Sequence, residues 1–406
     1  MPADDSRTFS PAKSRRREIA DLVTVAAFLV LLGLPAAGWL VGDASGISTT
    51  ENRRLASRPA LEARFDSWAS FPRRREQYVD DHLGFRRDLI QTFSRFHLAL
   101  FGASPAEKLV AGREGWLFYG DRDAIAHYRR IDPLGPGELK RWQRVLEERR
   151  DWLAERGIAY LVVLVPDKHE IYAEYMPASL PVAIGLRPLD QLVDHMVKHS
   201  EVEVIDLRKA LEREKKKRRV YHRTGTHWNE VGAYSAYRAI LARLRSLLPS
   251  MGEAKARVVE YRQEDSPGLG LASLVGLEEF LREEALSAEL IRPRAEIARE
   301  HRPGYAQRVR GQAPFAHGVD DPALPRAVMF RDSFGNALIP YLSEHFRRIL
   351  YVWDRDVDPW VVAREKPDVV IQQIVSRLLE RRPRSIAVLK AQRDARAKAG
   401  KPAAGN

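Results

Sequence analysis

The sequence predicts an α/β protein, a doubly wound three-layer α/β/α domain on a mostly parallel sheet, preceded by an N-terminal transmembrane helix. Three observations predict it. Ile158 to Val165 is an unbroken aliphatic run ended by Pro166-Asp167-Lys168, which is how a strand buried on both faces reads. Such runs alternate along the chain with amphipathic stretches of helical length, the signature of strands joined by crossover helices. Leu22 to Val41 is apolar for the thickness of a bilayer core, with Thr24, Gly33, Pro35 and Gly38 as its interruptions.

Lys13, Arg15, Arg16 and Arg17 precede that apolar run. The positive-inside rule therefore assigns residues 1–21 to the cytoplasm, 22–41 to a membrane anchor and the remainder to the extracytoplasmic side. A cleaved signal peptide is the competing reading, since Pro35-Ala36-Ala37 and Asp43-Ala44-Ser45 supply small residues near the end of the span. Residues 42–105, rich in Arg and aromatic residues and broken by Pro59 and Pro72, read as a helical lead-in. The main domain is expected over 106–380, opening near the glycine turn and short strand of Gly115-Trp116-Leu117-Phe118-Tyr119.

Within it, Leu139, Trp142, Leu146 and Leu153 mark one face of a helix between Gly137 and Arg156, with Gly157 placed to end it. Next come a helix at about Pro188 to His199, a strand at Val202 to Ile205 and a helix at Glu230 to Leu248. Strands follow at Ala327 to Phe330, Ile349 to Trp353 and Val369 to Ile374. Periodicity weakens over 251–318, which reads as an insertion, either a lid or a plain surface excursion. The Arg- and Lys-rich tail, 381–406, is expected to be disordered after a frayed helix.

Composition narrows the chemistry. The 406 residues contain no cysteine, which excludes disulfides, thiolate nucleophiles and Cys-based metal sites. No His/Asp/Glu set has metal-ligand spacing, and no cofactor is implied. The net charge of +12 favours polyanionic partners, and outside the cytoplasm acidic polysaccharide or lipid headgroups fit better than nucleic acid, for which there is no motif.

Two short segments carry the candidate chemistry. Ser333 follows the strand Ala327 to Phe330 and precedes Gly335-Asn336, forming a strand-turn-helix corner that exposes a hydroxyl and aims nearby amides at a developing oxyanion. The Gly-x-Ser-x-Gly elbow is absent, which argues against a standard α/β-hydrolase, and the plainer role for Ser333 is a helix cap. His227 lies just before a helix that Asn229 can cap, in a loop held by Trp228. An imidazole can take a serine proton near neutral pH when a second hydrogen bond fixes its tautomer. Lys168 and His169 at a strand end are candidates for binding a carboxylate or acyl group, and Arg331 beside the serine suits an anion because of its planar fork. The run Lys215-Lys216-Lys217-Arg218-Arg219 reads either as a polyanion contact or as a solvated helix face.

Gly225-Thr226-His227-Trp228-Asn229 with Gly232-Ala233, then Arg331-Asp332-Ser333-Phe334-Gly335, resemble the AlgJ/AlgX-like SGNH hydrolase-like family of alginate and exopolysaccharide O-acetylation proteins. Glu51-Asn52-Arg53, Gly84-Phe85-Arg86, Gly115-Trp116-Leu117-Phe118, Pro166-Asp167-Lys168, Leu271-Ala272-Ser273-Leu274 and Pro367-Asp368-Val369-Val370 extend the resemblance through most of the chain. It implies an SGNH-hydrolase-like fold, a serine nucleophile at Ser333, a histidine base at His227 and an aspartate two residues before the histidine. Gly225 stands at that last position. Three outcomes are open: a backbone carbonyl orients His227, another carboxylate such as Asp167 or Asp332 reaches it, or catalysis is lost. Arg331, Lys168 and Asn336 remain candidates for oxyanion or substrate contacts.

The expected function is transfer of acetyl groups to a secreted or cell-surface, alginate-like polysaccharide from the inner membrane. By resemblance, a membrane-bound O-acyltransferase partner supplies the acyl group. The alternatives are a carbohydrate acetylesterase using the same atoms and a non-catalytic glycan-binding subunit of an acetylation complex.

Overall fold

The computed structural model describes residues 15–39, 47–48, 53–61, 64–104, 106–252, 254–297 and 313–398. They divide into two compact units, residues 1–100 with 274–276, and residues 101–273 with 277–406. The first unit holds helix α1 (Arg15–Trp39), a minimal ribbon of β1 (Ile47–Ser48) and β2 (Arg53–Arg54), and helices α2 (Phe65–Asp81) and α3 (Arg86–Phe101), the last ending at the boundary. The expected span, Leu22 to Val41, thus begins inside α1, and its last two residues lie outside the described residues. Among the described residues, no helix is long and apolar enough to cross a membrane.

The second unit opens with the antiparallel pair β3 (Leu109–Ala111) and β4 (Leu117–Tyr119), then α4 (Arg122–Arg129) and α5 (Pro136–Ala154). Pro136 starts α5 at little cost because its missing N–H would be unpaired there, and the Glu138 carboxylate accepts from the Gly135 amide at 2.9 Å. Strand β5 (Ala159–Val165) follows, then α6 (Lys168–Ile171), α7 (Pro188–His199), β6 (Val204–Asp206), α8 (Arg208–Lys215) and α9 (Glu230–Leu247). Next are β7 (Val259–Ser266), α10 (Gly270–Ser273), β8 (Glu283–Leu290), β9 (Glu296–Ile297) and β10 (Phe315–Gly318). The chain closes with β11 (Arg326–Phe330), α11 (Ile339–Leu342), β12 (Arg348–Val352), α12 (Pro359–Glu365), β13 (Val369–Val375) and α13 (Ile386–Lys398).

The central sheet has the order β6-β5-β13-β11-β12-β10-β9. Its first five strands are mutually parallel, and β10 and β9 extend it antiparallel. Alternate side chains enter two cores. Leu161, Val163, Met329 and Ile371 pack with Ile240 and Leu244 of α9, whereas Val162, Leu164, Val328 and Val370 pack with Trp142 and Leu146 of α5 and Leu192 of α7. Helices on both faces make the three layers that the aliphatic runs predict.

Two regions differ from the sequence reading. Within the described part of 251–318, read as an insertion, β7 and β8 form an eight-residue antiparallel ribbon, and β10 and β9 extend the central sheet. Charged residues on both faces of that ribbon, as in Val259-Glu260-Tyr261-Arg262-Gln263-Glu264-Asp265, hide the period-two signal. Beyond Arg381, α13 carries a buried anchor, Ile386, and sets Arg393 over the Trp360 ring at 4.2 Å.

Candidate active site

Parallel strands of a doubly wound sheet present their carboxyl ends on one edge, where ligands bind. Here β5 ends at Pro166-Asp167-Lys168, β11 at Asp332-Ser333, and β13 at Ser376-Arg377. Between Ala159 and Ala327 alike, Val369 is the in-register neighbour, so the three strand ends emerge side by side.

The Ser333 corner is held by its own neighbour. The Asp332 carboxylate accepts from the Phe334 amide at 2.9 Å, the Gln373 side-chain amide at 2.9 Å and the Val375 amide at 2.8 Å. Burial pushes its pKa up, and those three donors work against that rise. Asp332 is thus committed to the loop and does not orient His227. It also takes an amide expected at an oxyanion: the Phe334 N–H goes to its carboxylate and the Gly335 N–H to its carbonyl at 3.2 Å. The Ser333 N–H has no hydrogen-bond partner among the described residues.

The histidine loop is fastened to that corner by Trp228. Its buried indole donates to the Phe334 carbonyl at 3.1 Å and meets the Phe334 ring edge-on at 5.4 Å. Asn229 caps α9 by accepting from the Gly232 amide at 3.0 Å, and a Cβ at Gly232 would lie 2.2 Å from the Val220 carbonyl, so this close approach requires glycine. The result brings the two segments together: His227 Nε2 lies 2.7 Å from Ser333 Oγ, across 106 residues of chain. Both residues are partly exposed.

The other ring nitrogen answers the question that Gly225 raises. Thr226 Oγ1 lies 3.0 Å from His227 Nδ1. When Nε2 accepts from the serine hydroxyl, the neutral ring carries its proton on Nδ1 and donates it to the threonine oxygen. A hydroxyl can accept that proton, so the working tautomer is kept. It cannot supply the negative charge that a carboxylate gives to a developing imidazolium. Burial, followed by the positive charge of Arg377 and His222, pushes the His227 pKa down to about 4, against the opposing pull of Asp167.

None of the expected orienting groups serves. The Gly225 carbonyl accepts from Lys168 Nζ at 2.5 Å, and the same ammonium donates to the His222 and Arg223 carbonyls at 3.0 and 3.1 Å. All three Lys168 donors are spent on the histidine loop, which leaves none for a substrate. Burial pushes this lysine down to about 7, with Glu283 pulling it up. Asp167 pairs with the Arg377 guanidinium and accepts from the Ser376 hydroxyl at 3.1 Å and the Arg377 amide at 3.0 Å. Burial would raise its pKa, but the Arg377 guanidinium, His169 and the hydrogen bonds from Ser376 and the Arg377 amide together outweigh that and hold it below the ordinary carboxylate range. His169 is buried against the Tyr128 ring, 5.7 Å between centroids. Arg331 is buried too, donating to Asn336 Oδ1 at 2.7 Å and lying 4.9 Å from the Trp353 ring; burial pushes it down to about 10. Asn336 is exposed and accepts that bond. In the basic run, Lys215 pairs with Glu174 at 2.5 Å and Arg218 with Glu214 at 3.0 Å.

Sequence reasoning missed three residues. Thr226 sat inside the quoted motif without a role; asking what could accept from Nδ1 would have found it. Glu283, from the stretch read as an insertion, accepts from the Arg223 and Thr224 amides at 2.5 and 3.0 Å and lies 3.3 Å from His222 Nδ1. Arg377 lies over the Phe334 ring at 5.2 Å and the Tyr119 ring at 5.3 Å. It donates through Nη1 to Asp167, and its other guanidinium nitrogens make no hydrogen bond among the described residues. No local pattern marks Glu283 or Arg377, because each acts through tertiary contact. Among the described residues, no group of three or more acidic or histidine side chains could hold a metal ion.

The protein named "Probable alginate O-acetylase AlgJ" from Pseudomonas aeruginosa is 26% identical to this chain over 313 residues, spanning 75% of this chain and 71% of its own length. The protein of the same name from Pseudomonas putida is 26% identical over 241 residues, 57% of this chain and 54% of its own. Among solved structures, the O-acetyltransferase domain of Pseudomonas putida AlgJ aligns with a TM-score of 0.47 at 18% identity, covering 72% of this chain and 99% of that one. PatB1 of Bacillus cereus aligns with a TM-score of 0.47 at 13% identity, covering 66% and 95%. The family model described as the SGNH hydrolase-like domain of the acetyltransferase AlgX matches residues 109–360, more than half of the chain, and the chain belongs to that family.

Proposed function

We propose that this protein is a membrane-anchored, extracytoplasmic O-acetyltransferase that works through Ser333 and His227 on a secreted or cell-surface acidic polysaccharide of the alginate kind. The observation that carries the reading is the 2.7 Å approach of His227 Nε2 to Ser333 Oγ, with Thr226 accepting on the far side of the ring. Ser333 Oγ attacks the acyl carbonyl while its proton passes to Nε2, and His227 returns that proton to the leaving group. A sugar hydroxyl then attacks the acyl-serine, gives its proton to Nε2, and Oγ recovers it as the ester departs. The Ser333 N–H and the unengaged nitrogens of Arg377 are suited to the oxyanion, since both are positioned before reaction. By family resemblance, the acyl group comes from a membrane-bound O-acyltransferase. The apolar run Leu22 to Val41, preceded in sequence by Lys13 and by Arg15 to Arg17, supports an inner-membrane location with the main domain outside.

The test uses the full-length chain in detergent with an activated acetyl ester, with and without acidic oligosaccharide. Acetyl-Ser333 should appear by mass spectrometry, and oligosaccharide should become acetylated. Ser333→Ala should lower transfer by about 10⁴-fold or more. One observation favours a second reading, a non-catalytic glycan-binding subunit: among the described residues, no carboxylate lies on Nδ1, which meets the Thr226 hydroxyl. Unchanged acetylation of the cell's polysaccharide in the Ser333→Ala strain would leave that reading standing. Hydrolysis without transfer would favour an acetylesterase.

A further inference from the structure

The loop that delivers His227 is gripped from both sides by buried, opposite charges, and two consecutive peptide units carry the grip. In the first, between His222 and Arg223, the carbonyl accepts from Lys168 Nζ at 3.0 Å and the amide donates to Glu283 Oε2 at 2.5 Å. In the second, between Arg223 and Thr224, the carbonyl accepts from the same ammonium at 3.1 Å and the amide donates to the same carboxylate oxygen at 3.0 Å. Each peptide dipole thus has its oxygen on a cation and its N–H on an anion, so all four bonds are charge-assisted. The third Lys168 donor takes the Gly225 carbonyl at 2.5 Å, in the peptide unit that leads into Thr226. The His222 amide donates to the His227 carbonyl at 3.2 Å and closes the loop on itself.

The two charges come from distant parts of the chain. Lys168 follows the carboxyl end of β5, and Glu283 begins β8. Lys168 is 3% exposed and Glu283 2%, with Nζ 5.1 Å from the centroid of the Phe118 ring and Glu283 Oε1 facing His222 Nδ1 at 3.3 Å. Removing two charges from water this fully is costly, and a well-packed apolar pair often serves stability as well or better. What the charges supply instead is direction. Three carbonyls on one nitrogen require the three donors of an ammonium, and the frame so formed fixes the backbone from which Thr226 and His227 project. A fixed backbone matters here because the partner of Nδ1 is a neutral hydroxyl.

We propose that Lys168 and Glu283 are positioning residues that together fix the peptide units of loop 222–225, so that the His227 imidazole meets Ser333 Oγ. The proposal rests on the acyl-transfer reading of that pair. Full-length Lys168→Met, Glu283→Gln and the double variant are compared with the parent at about pH 6, below the value of about 7 to which burial lowers Lys168 and above the value of about 4 for His227. Each single change leaves one buried charge uncompensated and should lower Tm by about 6 °C or more. The double variant leaves none and should regain about half of that loss. Its kcat for acetyl transfer, taken well below the lowest Tm and per folded molecule, should stay about 10²-fold below the parent, with the KM for acidic oligosaccharide unchanged within about twofold. With isotope-labelled histidine, nitrogen NMR of the parent should show a single Nδ1–H tautomer for His227, assigned by its loss in His227→Gln, and the double variant should show a mixture. A double variant with kcat within about threefold of the parent, or with the parent's single tautomer, would overturn the positioning role and leave a structural ion pair. A parent that forms no acetyl-Ser333 would instead remove the acyl-transfer reading, while the tautomer, which needs no turnover, still tests the grip on the loop.

Discussion

The serine corner and the histidine loop of the candidate site are built from unlike materials. Around Ser333 the fastening is a carboxylate: Asp332 collects donors from Phe334, Gln373 and Val375, within 2.9 Å of each. Around His227 the fastening is an ammonium and an indole, Lys168 gathering three carbonyls and Trp228 reaching the Phe334 carbonyl. Every nearby buried carboxylate, Asp167 and Glu283 included, holds scaffold, and the imidazole receives a neutral hydroxyl. The difference teaches that position and charge are separable functions. Thr226 supplies the first, whereas a family aspartate would supply both.

Three substitutions sharpen that comparison. The largest effect is expected from Thr226→Val, which leaves Nδ1–H unpaired and frees the ring to reorient; acetyl transfer should fall about 10²-fold while Thr226→Ser retains most of it. Equal rates for Thr226→Val and the parent would mean that the hydroxyl orients nothing.

Next is Gly225→Asp, which restores a charge beside the histidine. A Cβ there would approach His222 Cβ at 3.2 Å and Leu269 Cβ at 3.3 Å, so both must give slightly, and Gly225 is absent from the positive-φ glycines. The parent needs neutral His227, so its activity should persist on acidification and fall as pH drops through about 4. A carboxylate favours the imidazolium, so the variant's acidic limb should move to higher pH while its rate at neutrality rises about tenfold. A pH–rate profile reads both changes, and an unmoved limb would show that the new carboxylate does not reach the ring.

The smallest effect is expected from Trp228→Phe. It keeps the apolar bulk and removes the donor to the Phe334 carbonyl, which should cost about 1–2 kcal/mol in denaturant unfolding. A variant as stable as the parent would indicate that the two loops are held by packing alone.

The fold was legible where burial is two-sided. Val162, Val163, Leu164 and Val165 announce β5 because both faces of that strand are covered by helices. The β7–β8 ribbon was not legible, since its charges fall on both faces and no apolar alternation survives. The meeting of His227 and Ser333 followed from the resemblance of their two segments to the family; their places beside strand and helix ends suit a helix cap and a structural histidine equally. The partners of those residues were not legible. Asp167 and Lys168 carry the chemistry expected of site groups, yet their charges are consumed by Arg377 and by loop carbonyls that are distant in sequence. Thr226 is not legible as the Nδ1 partner because the family pattern places a carboxylate in that role and a neutral hydroxyl fills it here.

Strand β13 lies between β5 and β11, and its carboxyl end supplies Gln373 and Val375 to Asp332 and Ser376 and Arg377 to Asp167. Because one central, fully covered strand mounts both halves, no local fraying can release the serine corner while sparing the guanidinium beside it. Release of the serine corner and of the Arg377–Asp167 pair should therefore coincide with melting of the sheet rather than precede it.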